Sequence, residues 1–325
     1  MEKGRLKMTL TDSPENREFL SAIKQWSDSI PTMYFLDICC ISNIKNKDIY
    51  FNEPEKYKNK CDFLERLSAV DLPHNAISCL PALIEKVSDL FNDKSTHELK
   101  EEVERDLDAL NNFFKKARVV EEKKFTEMYV NGMKNEYPES SGSDYHKFLE
   151  CVNSMKLGNT ISSANRLSVA KEIIRKATEL NVDKFSAVVI TAIACVYGCI
   201  PAKKVMKFKD EPAKFNSSNA LADIQIISRI GRLADEIESN YRLGKTKYAR
   251  TTFLTDDDNL KKLYDYFFVK DVTKSETEFG ISHNIKLTIE GHLLFPDLFN
   301  YKDDEDQQKK QKEYIELLDF MGVRI

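Results

Sequence analysis

The sequence predicts an α/β protein built on a central parallel sheet. Short apolar segments of strand character alternate with long stretches of helical period, the order expected of strand–helix–strand units. Glycine and proline are scarce, ten and nine in 325 residues, which disfavours a turn-rich all-β chain. Two of the apolar segments end in aspartate: TMYFLDICC at Asp37 and TTFLTDDD at Asp256 to Asp258. In open parallel sheets, ligands gather beyond the carboxyl ends of the strands.

Taken in order, residues 14 to 29 read as a short helix with Phe19, Leu20, Ile23 and Trp26 on one face. TMYFLDICC (32–40) is apolar and aromatic, broken by one acid, and reads as a buried parallel-type strand. KCDFLERLSAV (60–70) suits a helix; a short extended piece at 76–78 precedes another helix, opened by Pro81. From His97 to about Glu136 the chain is charged and helical, with Leu99, Val103, Leu107, Leu110 and Phe114 at spacings of three and four. YPESSGSD (137–144) is a linker-like break, and helix resumes over 144–181.

Residues 185–202 form an apolar stretch with several small residues, a glycine and a proline. It reads as a buried core helix rather than a membrane span. A loop with Pro201 and Pro212 leads to a long capped helix over 217–243, apolar at Leu221, Ile224, Ile227, Ile230 and Leu233. TTFLTDDD (251–258) is a strand and NLKKLYDYFF a short helix; two strands are expected at 278–282 and 284–289. KDDEDQQKKQKEYIELLDFMG is a polar amphipathic C-terminal helix, and no internal repeat is present.

Net charge is −4 and the pI about 5.9, so no global basic field marks the chain for nucleic acid, although local basic stripes can sit on an acidic protein. Seven cysteines, an odd number, and an N-terminal segment without the apolar core of a signal peptide point to reduced thiols in a cytoplasmic protein. Cys195 and Cys199 share a helix face, but the five scattered histidines complete no zinc set. Gly244-Lys245-Thr246 is not a P-loop, because Ser239 stands where the upstream glycine belongs and the segment runs into a strand rather than out of one.

The acids carry the chemistry. An aspartate at a strand end can simply cap the next helix. Asp223, in NALADIQII on the first turn of the long helix, can serve the helix dipole, and Glu85 in LPALIEKVSDL can be a solvated helix position. Read together, Asp37, Glu85, Asp223 and Asp256/Asp257 make a set of carboxylates whose mutual repulsion a divalent cation would remove. Mg²⁺ or Mn²⁺ takes a few carboxylates plus water and phosphate oxygens, and such an ion activates water for attack on a phosphodiester. No convincing nucleophile motif competes with this reading.

YFLDICCISNIK resembles the opening strand and turn of PIN-domain nucleases, in which an aspartate ends the first strand. LPALIEK resembles the helix bearing that family's second acid, here Glu85. NALADIQII resembles the helix opening on the third, here Asp223, and FLTDDDNL the late strand ending in Thr-x-Asp, here Thr255, Asp256 and Asp257. The family motif usually reads Asp-Thr-Asn or Asp-Ser-Asn where this chain has Asp37-Ile38-Cys39, with Ser42 and Asn43 following.

The resemblance implies a Rossmann-like three-layer α/β/α PIN-like sandwich and metal-dependent phosphodiester cleavage, of RNA more often than DNA. It implies Asp37 as the ligand shared by two Mg²⁺ or Mn²⁺ ions, Asp223 and Asp257 (or Asp256) completing the site, and Glu85 orienting metal-bound water. The long gap between Glu85 and Asp223 implies a large helical insertion. The expected division is 1–91 and 181–300 as the two parts of the PIN-like domain, 92–180 as the insertion and 301–325 as a C-terminal helix.

Arg242, Lys245, Lys247 and Arg250, interleaved with Tyr241 and Tyr248 just before the strand that delivers Asp256, are the expected nucleic-acid contacts; a solvated loop is an equal reading. Large stand-alone nucleases of this kind suggest a toxin-like or phage-defence effector, by analogy alone, with a homo-oligomer or an inhibitory protein as partner. The rivals are a non-catalytic PIN-like scaffold that binds RNA or protein, and a phosphatase-like hydrolase, which would want Asp-x-Asp after the first strand.

Overall fold

The computed structural model describes residues 11–138, 142–277 and 280–323. The chain opens with α1 (Pro14–Asp28), whose first turn is closed by the Ser13 hydroxyl accepting from the Asn16 N–H. There follow β1 (Thr32–Leu36), α2 (Ile38–Lys45), α3 (Lys47–Asn52), α4 (Lys58–Ala69), β2 (Ala76–Ser78), α5 (Leu80–Val87), α6 (Thr96–Phe113), β3 (Arg118–Val119) and α7 (Lys123–Met133). Next come α8 (Gly142–Ser154), α9 (Arg166–Glu179), α10 (Ala187–Val196), α11 (Ile200–Met206), a 3₁₀ turn at Pro212–Lys214 and the 26-residue α12 (Ser217–Arg242). The chain closes with β4 (Arg250–Leu254), α13 (Asp258–Asp265), β5 (Phe267–Thr277), β6 (Gly280–Ile289), α14 (Gly291–Leu294), α15 (Pro296–Phe299) and α16 (Asp304–Met321).

The first four strands form one parallel sheet in the order β3-β2-β1-β4, as the sequence predicts for the class. β1 is paired on both flanks. The chain therefore winds outward from β1 through β2 to β3, then returns to the other side of β1 as β4. The winding reverses between β1 and β4, which makes the carboxyl ends of these two strands the crevice of the sheet.

The two-residue period of β1 sorts its side chains between layers. Leu36 and Tyr34 pack with Ile41 and Ile44 of α2, Leu64 and Leu67 of α4 and Leu110 of α6. Phe35 and Met33 turn the other way, onto Ile226 and Ile230 of α12. Helices thus cover both faces of the sheet. α6 starts from a capping box formed by Ser95 and Glu98, both spelled in the sequence.

Several expectations are corrected. The helical stretch expected from 97 to 136 is interrupted by β3, which pairs with β2 as the sheet edge. Two residues suffice because Asp71 accepts the backbone N–H groups of Lys115, Lys116 and Ala117 and so fixes the approach to that edge. Pro201 does not lie in a loop but opens α11. The two strands expected at 278–282 and 284–289 are, over the described residues, one strand, β6, and its antiparallel partner β5 runs from Phe267 to Thr277 where no strand is expected; residues 278 and 279 lie outside the described residues.

A second core joins α8 through α13 and the C-terminal helices, with Phe148, Ile173, Ile193, Tyr197, Leu263 and Leu317 among its members. The boundaries expected at 180/181 and 300/301 cut across this core, and 92–180 contributes β3 to the sheet. α10 is buried along its whole length and meets α11 at a bend of 119°. Among the described residues no single helix is long and apolar enough to cross a membrane.

Phe35 is the test of the sheet–α12 interface, being 2% exposed. Phe35→Ala should cost about 3–5 kcal/mol of unfolding free energy, read as a lowered urea midpoint at unchanged slope.

Candidate active site

β1 and β4 run side by side in register, Leu36 opposite Leu254, so the residues after them emerge together. Asp37 continues the pairing by donating its N–H to the Leu254 carbonyl. Its side chain, 4% exposed, caps α2 by accepting from the Ile38 N–H at 2.8 Å. The other carboxylate oxygen accepts from the Thr255 hydroxyl at 2.7 Å and from the Cys39 thiol at 2.9 Å. The capping role and the site role thus coexist in one residue.

Cys39, two residues after Asp37, behaves as a polar side chain. Its sulfur lies 3.3 Å from the Thr255 hydroxyl and accepts from the Asp256 N–H at 3.1 Å. This thiol stitches the β1–α2 turn to the β4–α13 turn. A cysteine between isoleucine and cysteine gave no such hint in sequence.

Asp256 and Asp257 part company. Asp257 caps α13, accepting from the N–H groups of Asn259 and Leu260. Asp256 turns toward α2 and α4, where Asn43 donates to it at 2.8 Å and Lys60 forms an ion pair. Burial works against the Lys60 ammonium, yet Asp256 holds it above its ordinary range. A cleft of about 800 Å³ opens beside Asp256, lined in part by Lys60, Glu65, Arg66 and Asp258.

α12 and α5 bring the remaining acids. Asn216, one residue before the expected start, caps α12 through the Asn219 N–H, and Asp223 falls on the second turn rather than the first. It is 7% exposed and pairs with Lys207 at 2.6 Å. Burial raises the Asp223 carboxyl most; Lys207 opposes this, Asp37 and Asp257 reinforce it, and the result is a pKa of about 6. Glu85 on α5 is pushed well above its usual range by burial, then by Asp223 and Asp37, against the pull of Lys207 and Arg229.

The charge of Asp37 thus reaches both Glu85 and Asp223, and that of Asp257 reaches Asp223. Among the described residues, however, no three His, Cys, Asp or Glu groups stand at distances that would hold a metal ion. The donors are all oxygen, which suits a hard cation such as Mg²⁺ or Mn²⁺. The cation the acids face is an ammonium: besides Asp223, Lys207 Nζ reaches the Asn219 side-chain oxygen at 2.8 Å. Burial would lower the Lys207 ammonium, but Asp223, Glu85 and Asp257 hold it raised.

Two further residues shape the site without any sequence signal. Glu121, just beyond β3, is 8% exposed and accepts from the Ser78 hydroxyl at 2.6 Å and the Cys79 N–H at 2.8 Å. It clamps the turn from β2 into α5 and so sets where Glu85 stands. Lys86, next to Glu85, points the opposite way into a part-buried ion network with Asp106 and Glu102, which Lys45 joins at 2.8 Å from Asp106.

The basic segment does not join the acids. Arg250 begins β4, at the amino edge of the sheet, and its guanidinium is committed to Thr32 and Ser27. α12 runs away from Asp223, so Arg242 lies about 28 Å along the helix from it at 1.5 Å per residue. Lys245 and Lys247 share that far edge. The expectation that proximity in sequence puts this loop beside the acids is corrected: a parallel strand separates its two ends by its whole length.

No protein-family model matches the chain, and neither the curated proteins nor the solved structures contain a match.

Two measurements probe this geometry. Cys39→Ala strands the Asp256 N–H and should cost about 1 kcal/mol, whereas Cys39→Ser keeps an acceptor and should cost less, compared by chemical unfolding. Asp223 binds its proton more tightly folded than unfolded, so its contribution favours the folded state in full below pH 3.8 and is withdrawn as pH rises to about 6. The shift corresponds to about 3 kcal/mol. In chelator, Asp223→Asn should flatten the loss of stability between pH 4 and 6; an unchanged slope would contradict the assigned environment.

Proposed function

We propose that this chain is a PIN-like nuclease that hydrolyses phosphodiester bonds, of RNA more readily than of DNA, with Mg²⁺ or Mn²⁺ bound at the carboxyl edge of the sheet. The single observation that carries the proposal is the emergence of Asp37 and Asp257 from adjacent strands at the β1–β4 reversal, where ligands bind in open α/β sheets, with Asp223 and Glu85 close enough for the charge of Asp37 to raise both. Two buried carboxyls raised by burial and by neighbouring acids, Glu85 and Asp223, are also the pattern of functional rather than structural carboxylates.

In this reading Asp37 is the central ligand, oriented by Thr255 and Cys39, with Asp223 and Asp257 facing it. When bound, the ion would lower the pKa of water and offset charge on the departing oxygen. Glu85, whose carboxyl holds its proton more strongly than usual, is placed to take a proton from attacking water and return it. Thr255 and Cys39 keep Asp37 from rotating away. Lys60 and Arg66 line the cleft beside Asp256 and take the phosphate-binding role expected of the 242–250 segment.

A toxin-like or defence role, with an inhibitory protein or second copy as partner, remains part of the proposal by analogy only. The scaffold reading differs in one respect: nucleic acid would bind and not be cut.

Incubation of single-stranded RNA and DNA with wild type and Asp37→Asn, in Mn²⁺ or chelator, tests this. Cleavage that needs metal and falls at least ~100-fold in the variant is expected, since the ion supplies several kcal/mol of transition-state stabilisation. Binding without cleavage by both proteins would favour the scaffold.

A further inference from the structure

Lys207 occupies an unusual position. It terminates α11 in the left-handed region, φ 54° and ψ 35°, where a residue other than glycine is uncommon. From there its side chain reaches across to α12, with Nζ 2.6 Å from Asp223 and 2.8 Å from the Asn219 oxygen. It is part-buried, and Asp223, Glu85 and Asp257 all act on its charge. The site thus holds several carboxylates and a lysine among them, while no three acids close to metal-ligand distance among the described residues. The ammonium offsets carboxylate charge as a metal would, while donating a hydrogen bond to the Asn219 oxygen; it carries one charge rather than two and, among the described residues, pairs with Asp223 alone at close range.

We propose that Lys207 is a built-in counter-cation, which holds Asp223 while the site is without metal and is displaced from it when a divalent ion binds. This rests on the metal-dependent reading above. It makes Lys207 a positioning residue that sets metal affinity: ion and ammonium compete for one carboxylate, so the chain stays folded without metal and its affinity for metal is lower than the acid set alone would give. The left-handed backbone serves this arrangement, since it aims the side chain at α12 from the end of a helix only seven residues long.

The test is Mn²⁺ binding by the full chain, followed by calorimetry and by electron paramagnetic resonance of free ion, in wild type, Lys207→Met and Lys207→Gly. Methionine removes the charge at similar length. Glycine removes the whole side chain and suits the left-handed backbone, so a folding failure confined to methionine leaves the question answerable. Both variants should bind Mn²⁺ at least about tenfold more tightly than wild type, because a like charge within a few ångströms of the ion is gone. Their melting temperature should fall in chelator and rise further on adding Mn²⁺ than that of wild type. Equal or weaker binding by the variants, with binding abolished by Asp37→Asn, overturns the counter-cation and leaves the metal site standing. No binding by wild type or either variant overturns both.

Discussion

β1 is hydrogen-bonded on both flanks, to β2 and to β4, and the candidate site takes its shape from that double pairing. Because β4 runs parallel to β1 and in register with it, two turns that are more than two hundred residues apart in sequence leave the sheet side by side. The Asp37 N–H bonded to the Leu254 carbonyl carries the pairing one residue beyond the strand. The Thr255 hydroxyl and Cys39 thiol then lock the two turns together. A slip of one residue in that register would exchange Phe35 with Leu36 between the two helical layers and swing Asp37 out of the crevice.

Electrostatics works against this arrangement. Glu85 and Asp223 lie buried within reach of the charge of Asp37, and the protein offsets the cost locally. Lys207 neutralises Asp223, Arg229 acts on Glu85, and Lys60 with Asn43 draws Asp256 to one side. The neighbouring ion network of Lys86, Asp106, Glu102 and Lys45 keeps its charges separate by pointing away from the crevice. Glu85 and Asp223 retain raised proton affinity because this compensation is incomplete, which is the state expected of groups kept for chemistry rather than for stability.

The parts legible in the sequence were those with local causes. β1 and β4 showed as apolar runs ending in acid, α6 and α12 in their spacing of three and four, and Asp37, Glu85 and Asp223 in their apolar surroundings. What escaped depends on contacts distant in sequence. β3 is two residues long and exists because β2 and Asp71 hold it, so no propensity window reveals it. Lys207 lies among several lysines in KKVMKFK, and only the close of α11 and the direction of α12 single it out. Cys39 gave no sign of its linking role because Thr255 and Asp256, which it ties to Asp37, come from beyond residue 250. The 242–250 segment misled in the opposite sense: its nearness to Asp256 in sequence is undone by the length of a strand.

α12 belongs to more than one packing unit along its 26 residues. Its first turns, with Ala220, Leu221 and Ile224, are embedded in the helical core; Ile226 and Ile230 lie on the sheet; and Gly231 lets Val269 of the β5–β6 ribbon approach so closely that an added Cβ would fall 2.2 Å from a valine methyl. Asp223 stands where the first of these hands over to the second. The helical half is consequently no detachable cassette: trimming residues 142–206 to reach a minimal α/β unit would strip one flank of the helix bearing Asp223 and delete Lys207's support with it. Any shortened version of this protein has to be designed around that shared rod rather than cut at a linker.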